Sequence, residues 1–134
     1  MEKITNNFEE TQKLGEEFAK EIKAGGVLCL EGELGAGKTT FTQGLLKGLG
    51  CVGPFTSPTF VLMKKYQKNI YHLDAYRIDE MNLDDLGWEE LVADQKNIII
   101  VEWPEKIQKR IPGQANWINF EWVDENRRKI IFKK

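Results

Sequence analysis

A chain of 134 residues, 41% hydrophobic and 30% charged, has the length and composition of one globular domain, and we expect residues 1–134 to form it. A formal net charge of −2 argues against a protein that grips nucleic acid through a basic surface of its own. Two cysteines do not make a disulfide framework or a zinc site, and neither a signal peptide nor a membrane-spanning stretch is expected, so we predict a cytoplasmic protein.

The first part of the chain predicts a helix, a buried strand and a second helix. Residues 4–7 form an extended entry and a helix cap, and the apolar spacing predicts an amphipathic helix over 8–23. The apolar run 27–30 predicts a buried strand, and a glycine-rich turn then leads to a helix over 40–49.

The remainder of the chain predicts further strands around a mixed sheet. Strands are expected over 60–66 and 70–76, and the short turn between them predicts an antiparallel hairpin. The acid-rich segment 82–93 favours one helix. The apolar run 97–102 favours a strand covered on both faces, and a short helix is expected over 104–111. Residues 117–123 and 129–132 favour a last pair of strands. The fold class is therefore α/β, with a mixed central β-sheet and flanking helices.

The glycine-rich turn carries the strongest motif. Residues 32–39 match G-x-x-x-x-G-K-T, the phosphate-binding loop (P-loop, Walker A). The glycines bring backbone N–H groups close to phosphate oxygens, Lys38 supplies a positive charge, and the Thr39 hydroxyl suits Mg²⁺. Because the loop follows a strand and opens a helix, a chance match is a weak alternative.

Two acids follow apolar strands and suit the second half of a nucleotide site. Glu102 ends the run Ile-Ile-Ile-Val-Glu, and Asp74 lies near the end of its own strand. The structural alternatives are an exposed strand-end acid for Glu102 and a turn or salt-bridge carboxylate for Asp74. By itself, His72 is interpreted as a packed or surface histidine. Trp103 is interpreted as a core aromatic residue or as one that packs over the nucleotide.

The chain resembles the small ATPase family of bacterial tRNA threonylcarbamoyladenosine biosynthesis, called TsaE. The resemblance extends along essentially the whole chain and rests on the phosphate-binding loop together with three further segments. These segments are Ser57-Pro58-Thr59-Phe60, His72-Leu73-Asp74-Ala75-Tyr76-Arg77 and Val101-Glu102-Trp103-Pro104-Glu105.

The resemblance implies a P-loop ATPase with ATP and Mg²⁺ in its site, and it assigns roles to individual residues. Thr39 and Glu102 hold Mg²⁺, and Asp74, Glu102 and Lys38 serve in hydrolysis. Ser57-Pro58-Thr59 occupies the position of a switch-like segment, and residues 8–11 lie where the adenine is held. Residues implied to contact the nucleotide are Gly35, Ala36, Gly37, Lys38, Thr39, Thr40, Trp103 and Arg127.

The resemblance also implies a process and partners. The family serves the threonylcarbamoyl modification of adenosine 37 in tRNAs that read codons beginning with A. The implied partners are the transferase subunit and its inactive scaffold paralogue, with tRNA contacted only indirectly. The ATPase is expected to be slow alone and to reset that complex.

Three other functions remain open on the residues alone. A small-molecule kinase would carry a basic lid, for which Lys109-Arg110 is a weak candidate. A GTPase would carry D-x-x-G, which Asp84-Asp85-Leu86-Gly87 matches inside a helical pattern, and N-K-x-D, which the sequence lacks. A nucleotide-gated binding module with negligible hydrolysis would need only the phosphate-binding loop.

Overall fold

The computed structural model describes residues 1–22, 26–33, 35–53, 63–67, 69–78 and 80–133. Its centre is a seven-stranded sheet in the order β1-β7-β6-β2-β5-β4-β3. The strands are β1 (Glu2–Thr5), β2 (Gly26–Gly32), β3 (Met63–Gln67), β4 (Ile70–Asp74), β5 (Ile98–Glu102), β6 (Asn116–Trp122) and β7 (Arg128–Lys133). The helices are α1 (Phe8–Phe18), α2 (Lys38–Gly48), α3 (Glu80–Asp85) and α4 (Trp88–Ala93), with 3₁₀ helices at Ala19–Glu21, Ala75–Arg77 and Pro104–Arg110.

The sheet is mixed, as predicted. Four adjacent strands, in the order β6-β2-β5-β4, run parallel to one another. The three other pairings, β3 with β4, β7 with β6 and β1 with β7, are antiparallel. The carboxyl ends of β2, β5 and β4 therefore lie at one edge, where ligands of α/β folds bind. In register there, Leu30 pairs with Glu102 and Glu102 with Asp74.

Two apolar cores cover the two faces of the sheet. On one face, α2 packs Phe41, Leu45 and Leu46 against buried residues of the central strands such as Leu30 and Ile100. On the other, Leu83 and Trp88 of the short helices cover alternate residues of the same strands, among them Cys29, Ile99 and Val101. Burial on both faces accounts for the unbroken apolar run in β5.

Helices α1 and α2 lie in unusually close contact. A Cβ atom built at Gly44 would lie 2.7 Å from the Gln12 carbonyl carbon, and one at Gly15 would lie 2.8 Å from the Leu45 nitrogen. Both distances are well below ordinary van der Waals contact. The two glycines thus allow the helix backbones to touch, which fixes α1 relative to the phosphate-binding loop at the start of α2.

Some predicted elements differ from the structure. The prediction of a single helix over 82–93 is wrong, because Gly87 takes φ 75° and separates α3 from α4. The helix over 8–23 ends at Phe18 and continues as a 3₁₀ turn, and the predicted helix over 104–111 is also of the 3₁₀ type. The Asn7 cap and the β3–β4 hairpin are confirmed.

Two predicted features involve residues for which no structure is described. The strand over 60–66 is described only from Met63, and Ser57-Pro58-Thr59 lies wholly outside the described residues. Within the described part of the chain, every helix is too short or too polar to cross a bilayer.

Candidate functional site

The phosphate-binding loop connects β2 to α2. Gly37, the N-cap residue of α2, takes φ 102°, a backbone conformation open to glycine but costly for other residues. This turn directs the first N–H groups of α2, which have no partners within the helix, toward the carboxyl edge of the sheet. A helix N-terminus of this kind is suited to bind an anion, and phosphate binding by the loop stays a prediction.

Lys38 is held in place from two sides. Its Nζ donates to the Gly32 carbonyl oxygen at 2.5 Å and lies 3.5 Å from the centroid of the Trp103 ring. Burial lowers the pKa of Lys38, while the negative charges of Glu102, Glu105 and Asp74 act in the opposite direction. An ammonium group so withdrawn from water is suited to exchange these contacts for phosphate oxygens.

Trp103 adopts a strained backbone conformation. Its φ of 59° is the only positive value for a non-glycine residue in the described ranges. The residue stands between β5 and Pro104, which begins a 3₁₀ helix, and Tyr76 packs edge-on against the ring at 5.0 Å. Strain of this kind is commonly found at functional sites.

The two predicted acids are neighbours at the sheet edge. Asp74 and Glu102 are paired in the parallel register of β4 and β5, so their side chains leave the same face. Asp74 Oδ1 accepts from the Tyr76 N–H at 3.0 Å. Glu102 is only 4% exposed, and its Oε2 lies 2.5 Å from His72 Nε2.

One cavity of about 520 Å³ brings these groups together. Its lining comes from the loop and the start of α2, the ends of β4 and β5, the start of α1 and the β6–β7 turn. The lining residues are Asn7, Phe8, Glu9, Thr11, Gly35, Gly37, Lys38, Thr39, Thr40, Asp74, Glu102, Trp103, Glu125, Asn126 and Arg128. The cavity is of the size that small-molecule ligands occupy.

Arg128, rather than Arg127, faces the loop. Its Nε donates to the Gly35 carbonyl oxygen at 3.0 Å, and it lines the cavity. Arg127 Nε donates to Asp124 Oδ2 at 2.7 Å, and among the described lining residues Arg127 is absent. The nucleotide contact assigned to Arg127 stays a prediction, and Arg128 is the arginine that the geometry offers.

The features suggesting a kinase lid or a GTPase are placed elsewhere. Arg110 donates to Asp84 and Glu89 and ties the 3₁₀ helix to α3 and α4. The D-x-x-G match lies at the end of α3, and α3 packs on the face of the sheet opposite to the one that α2 covers.

Sequence reasoning missed several site residues. Four lining residues come from segments that are far apart in the sequence: Asn7, Glu125, Asn126 and Arg128. The pairing of β1 with β7 brings these segments together. The contact between His72 and Glu102 depends on the register of β4 against β5. The sequence shows the two strand patterns and the H-x-D spacing, but it does not show this register.

Comparisons with known proteins agree on one family. A family model described as "Threonylcarbamoyl adenosine biosynthesis protein TsaE" matches residues 5–130. The "tRNA threonylcarbamoyladenosine biosynthesis protein TsaE" of Bacillus subtilis (strain 168) is 39% identical over 131 residues, covering 96% of this chain and 82% of that protein. The protein of the same name from Aquifex aeolicus (strain VF5) is 37% identical over 139 residues, covering 99% of this chain and 96% of that protein.

A solved structure extends the agreement to the fold. The crystal structure of Bacillus subtilis YdiB superposes with a TM-score of 0.83 at 35% identity, covering 98% of this chain and 83% of that one. The α/β fold of P-loop proteins predicted from the sequence is thereby confirmed. With a family model spanning nearly all of its residues and relatives matched over most of their length, the chain belongs to the TsaE family.

Proposed function

We propose that this protein is a Mg²⁺-dependent ATP-binding and ATP-hydrolysing subunit required for threonylcarbamoyl modification of adenosine 37 in tRNAs that read codons beginning with A. The observation that carries the proposal is the meeting of Lys38, Thr39, Asp74 and Glu102 around one cavity. Membership of the TsaE family, whose relatives are named for this biosynthesis, supplies the process.

The loop and Lys38 bind the phosphates. The N–H groups at the start of α2 are suited to bind the β- and γ-phosphates, as in other P-loop proteins, and Lys38 adds its positive charge. Because its ammonium already lies within this cavity, only a short movement away from the Gly32 carbonyl and the Trp103 ring is needed.

The donors in the cavity fit magnesium. Thr39 offers a hydroxyl and Glu102 a carboxylate, the hard oxygen ligands that Mg²⁺ prefers. Mg²⁺ usually keeps several waters and is held by one or two protein oxygens together with substrate phosphates, so two protein ligands are sufficient here. When bound, the ion neutralises charge on the phosphate oxygens.

Asp74 is suited to orient the attacking water. Its Oδ1 accepts a hydrogen bond from the Tyr76 N–H, which restricts rotation of the carboxylate, and the side chain lines the same cavity as Lys38. A carboxylate held in this way can accept a hydrogen bond from water and direct an oxygen lone pair at the γ-phosphorus. Arg128 is the arginine placed to contact phosphates or ribose near Gly35.

We infer that turnover is slow without partners. The net charge of −2 gives tRNA little direct attraction, so we infer that tRNA is reached through partners. The partners proposed are the transferase and its scaffold paralogue, whose complex this cytoplasmic ATPase resets. Residues 1–134 act in this as one ATPase domain.

The test is ATP hydrolysis by the purified chain, alone and with the transferase pair, with and without tRNA. We expect slow release of phosphate alone, strong stimulation by the pair, and loss of that stimulation in Glu102→Ala. Glu121→Ala removes an exposed acid of β6 and serves as the control. Equal, slow release in every mixture would refute the partner-dependent ATPase and favour a nucleotide-gated binding module; transfer of phosphate to an acceptor would favour a kinase.

A further inference from the structure

His72 and Glu102 form a buried polar pair behind the cavity. The histidine side chain is 2% exposed and that of the glutamate 5%, and Nε2 lies 2.5 Å from Oε2. A carboxylate only accepts hydrogen bonds, so the imidazole Nε2–H is the donor. His72 is not among the described residues that line the cavity, so it reaches the site only through Glu102.

The strand register makes this contact a diagonal one. His72 pairs with Ile100 and Asp74 with Glu102 across β4 and β5. Side chains at these positions share one face of the sheet, and diagonal neighbours are within reach of long side chains. The Glu102 carboxylate therefore extends back toward His72 instead of lying freely beside Asp74.

The pair is poorly explained as a device for stability. His72 Nδ1 is buried and has no hydrogen-bond partner among the residues described, which costs free energy of folding. The buried residues Leu30 and Ile100 lie on the same face of the sheet, and on the cavity side the charge of Glu102 acts on Lys38.

We propose that His72 is a positioning residue for Glu102: by holding Oε2, the imidazole fixes the direction in which the other oxygen, Oε1, faces the metal–nucleotide site. The inference rests on the function proposed above, in which Glu102 is a metal ligand. A glutamate has several rotatable bonds, and a hydrogen bond to one of its oxygens removes most of that freedom. Partners of this kind raise metal affinity about 10- to 100-fold.

Two substitutions separate positioning from packing. His72→Gln keeps an N–H donor of comparable reach, whereas His72→Leu fills the space without a donor. Calorimetry measures Mg²⁺ binding to the protein–ATP complex, and ATP binding in EDTA. We expect His72→Leu to weaken Mg²⁺ binding about tenfold or more, to leave ATP affinity in EDTA within about twofold, and His72→Gln to retain most of the Mg²⁺ affinity.

A double-mutant cycle with Glu102→Gln tests the route of the effect. If His72 acts through the carboxylate, His72→Leu has no further effect on Mg²⁺ affinity once Glu102 is replaced. Should His72→Leu fail to give a cooperative thermal transition, His72→Phe takes its place as the apolar variant. Unchanged Mg²⁺ affinity in the apolar variant, an equal loss in His72→Gln, or an additive cycle would each overturn the proposal.

The same measurements distinguish this inference from the proposed function. Glu102→Ala should itself lose Mg²⁺ affinity if that residue is a ligand. If it does and His72→Leu does not, only the positioning role fails. If Glu102→Ala leaves Mg²⁺ affinity unchanged, the metal assignment in the proposed function fails.

Discussion

Replacing Gly44 by alanine should destabilise the protein, although alanine is the better helix former. The added Cβ would lie 2.7 Å from the Gln12 carbonyl carbon and 3.0 Å from its Cα, both backbone atoms. The Gln12 carbonyl oxygen would be nearer still. Non-bonded carbon and oxygen atoms approach to about 3.3 Å, so α1 and α2 must separate by well over about 1 Å. Because the clash is with backbone atoms, we take the cost of overpacking at the upper end of its usual range, about 3 kcal/mol.

The helix propensity of alanine offsets about 1 kcal/mol of that cost, which leaves a net loss of about 2 kcal/mol. With an unfolding entropy of about 2.1 cal/mol/K per residue, this loss lowers Tm by about 7 °C for a chain of 134 residues. Differential scanning calorimetry measures the shift. Because Asn7, Phe8 and Thr11 of the α1 region line the cavity, ATP affinity should fall in the same variant.

Gly113→Ala is the control for this experiment. A Cβ there meets no atom within 4 Å, and the backbone of Gly113 is not in the left-handed region. We expect a Tm equal to or slightly above that of the parent, because the unfolded chain loses freedom. If Gly44→Ala unfolded at or above the parental Tm, the close contact between α1 and α2 would be refuted.

Three further predictions address backbone strain, pH and thiol reactivity. Trp103→Gly should be more stable than Trp103→Ala by about 1 kcal/mol in urea unfolding, since φ is 59° at this position; the usual order, with alanine ahead, would contradict the strained turn. Hydrogen bonds from the Arg127 backbone and side chain lower the pKa of Asp124, so the β6–β7 turn gains stability above the ordinary aspartate pKa and loses it as pH falls through the lowered value. NMR follows the chemical shift of the Arg127 amide with pH. A shift that titrates at or above the ordinary aspartate pKa, or that titrates equally in Asp124→Asn, would count against this prediction. Burial raises the pKa of Cys29 to about 12, so at pH 8 about one thiol in ten thousand is ionised, and a disulfide reagent should modify Cys29 only after unfolding.

The sequence was sufficient for the parts of the site that depend on local chemistry. A strand, a glycine-rich turn and a helix N-terminus follow one another in the chain, so the loop around Lys38 could be predicted without any tertiary contact. The acids at the ends of β4 and β5 followed from apolar runs that each end in a carboxylate. Parallel strands then bring such ends to one edge.

What sequence could not supply was pairing between distant segments. Arg127 and Arg128 are adjacent, and only the β6–β7 turn, with Asp124 holding Arg127, decides which guanidinium faces Gly35. The broken helix at Gly87 shows the same limit, because Leu83, Leu86 and Leu91 keep a helical spacing across the break. Tertiary packing of Trp88, whose Nε1 donates to the Arg110 carbonyl oxygen, favours two short helices over one.

The pairing of β1 with β7 has a consequence for how the protein forms during synthesis. Glu2 pairs with Ile131 and Thr5 with Arg128, so β1 cannot join the sheet until residues 128–131 have left the ribosome. Contacts so far apart in sequence slow folding. The cavity takes its walls from both of these ends, at Asn7 and at Arg128. A nascent chain therefore acquires a complete nucleotide site only after Arg128 has been added, and nucleotide, once bound, stabilises the chain that contains this residue over a shorter one that lacks it.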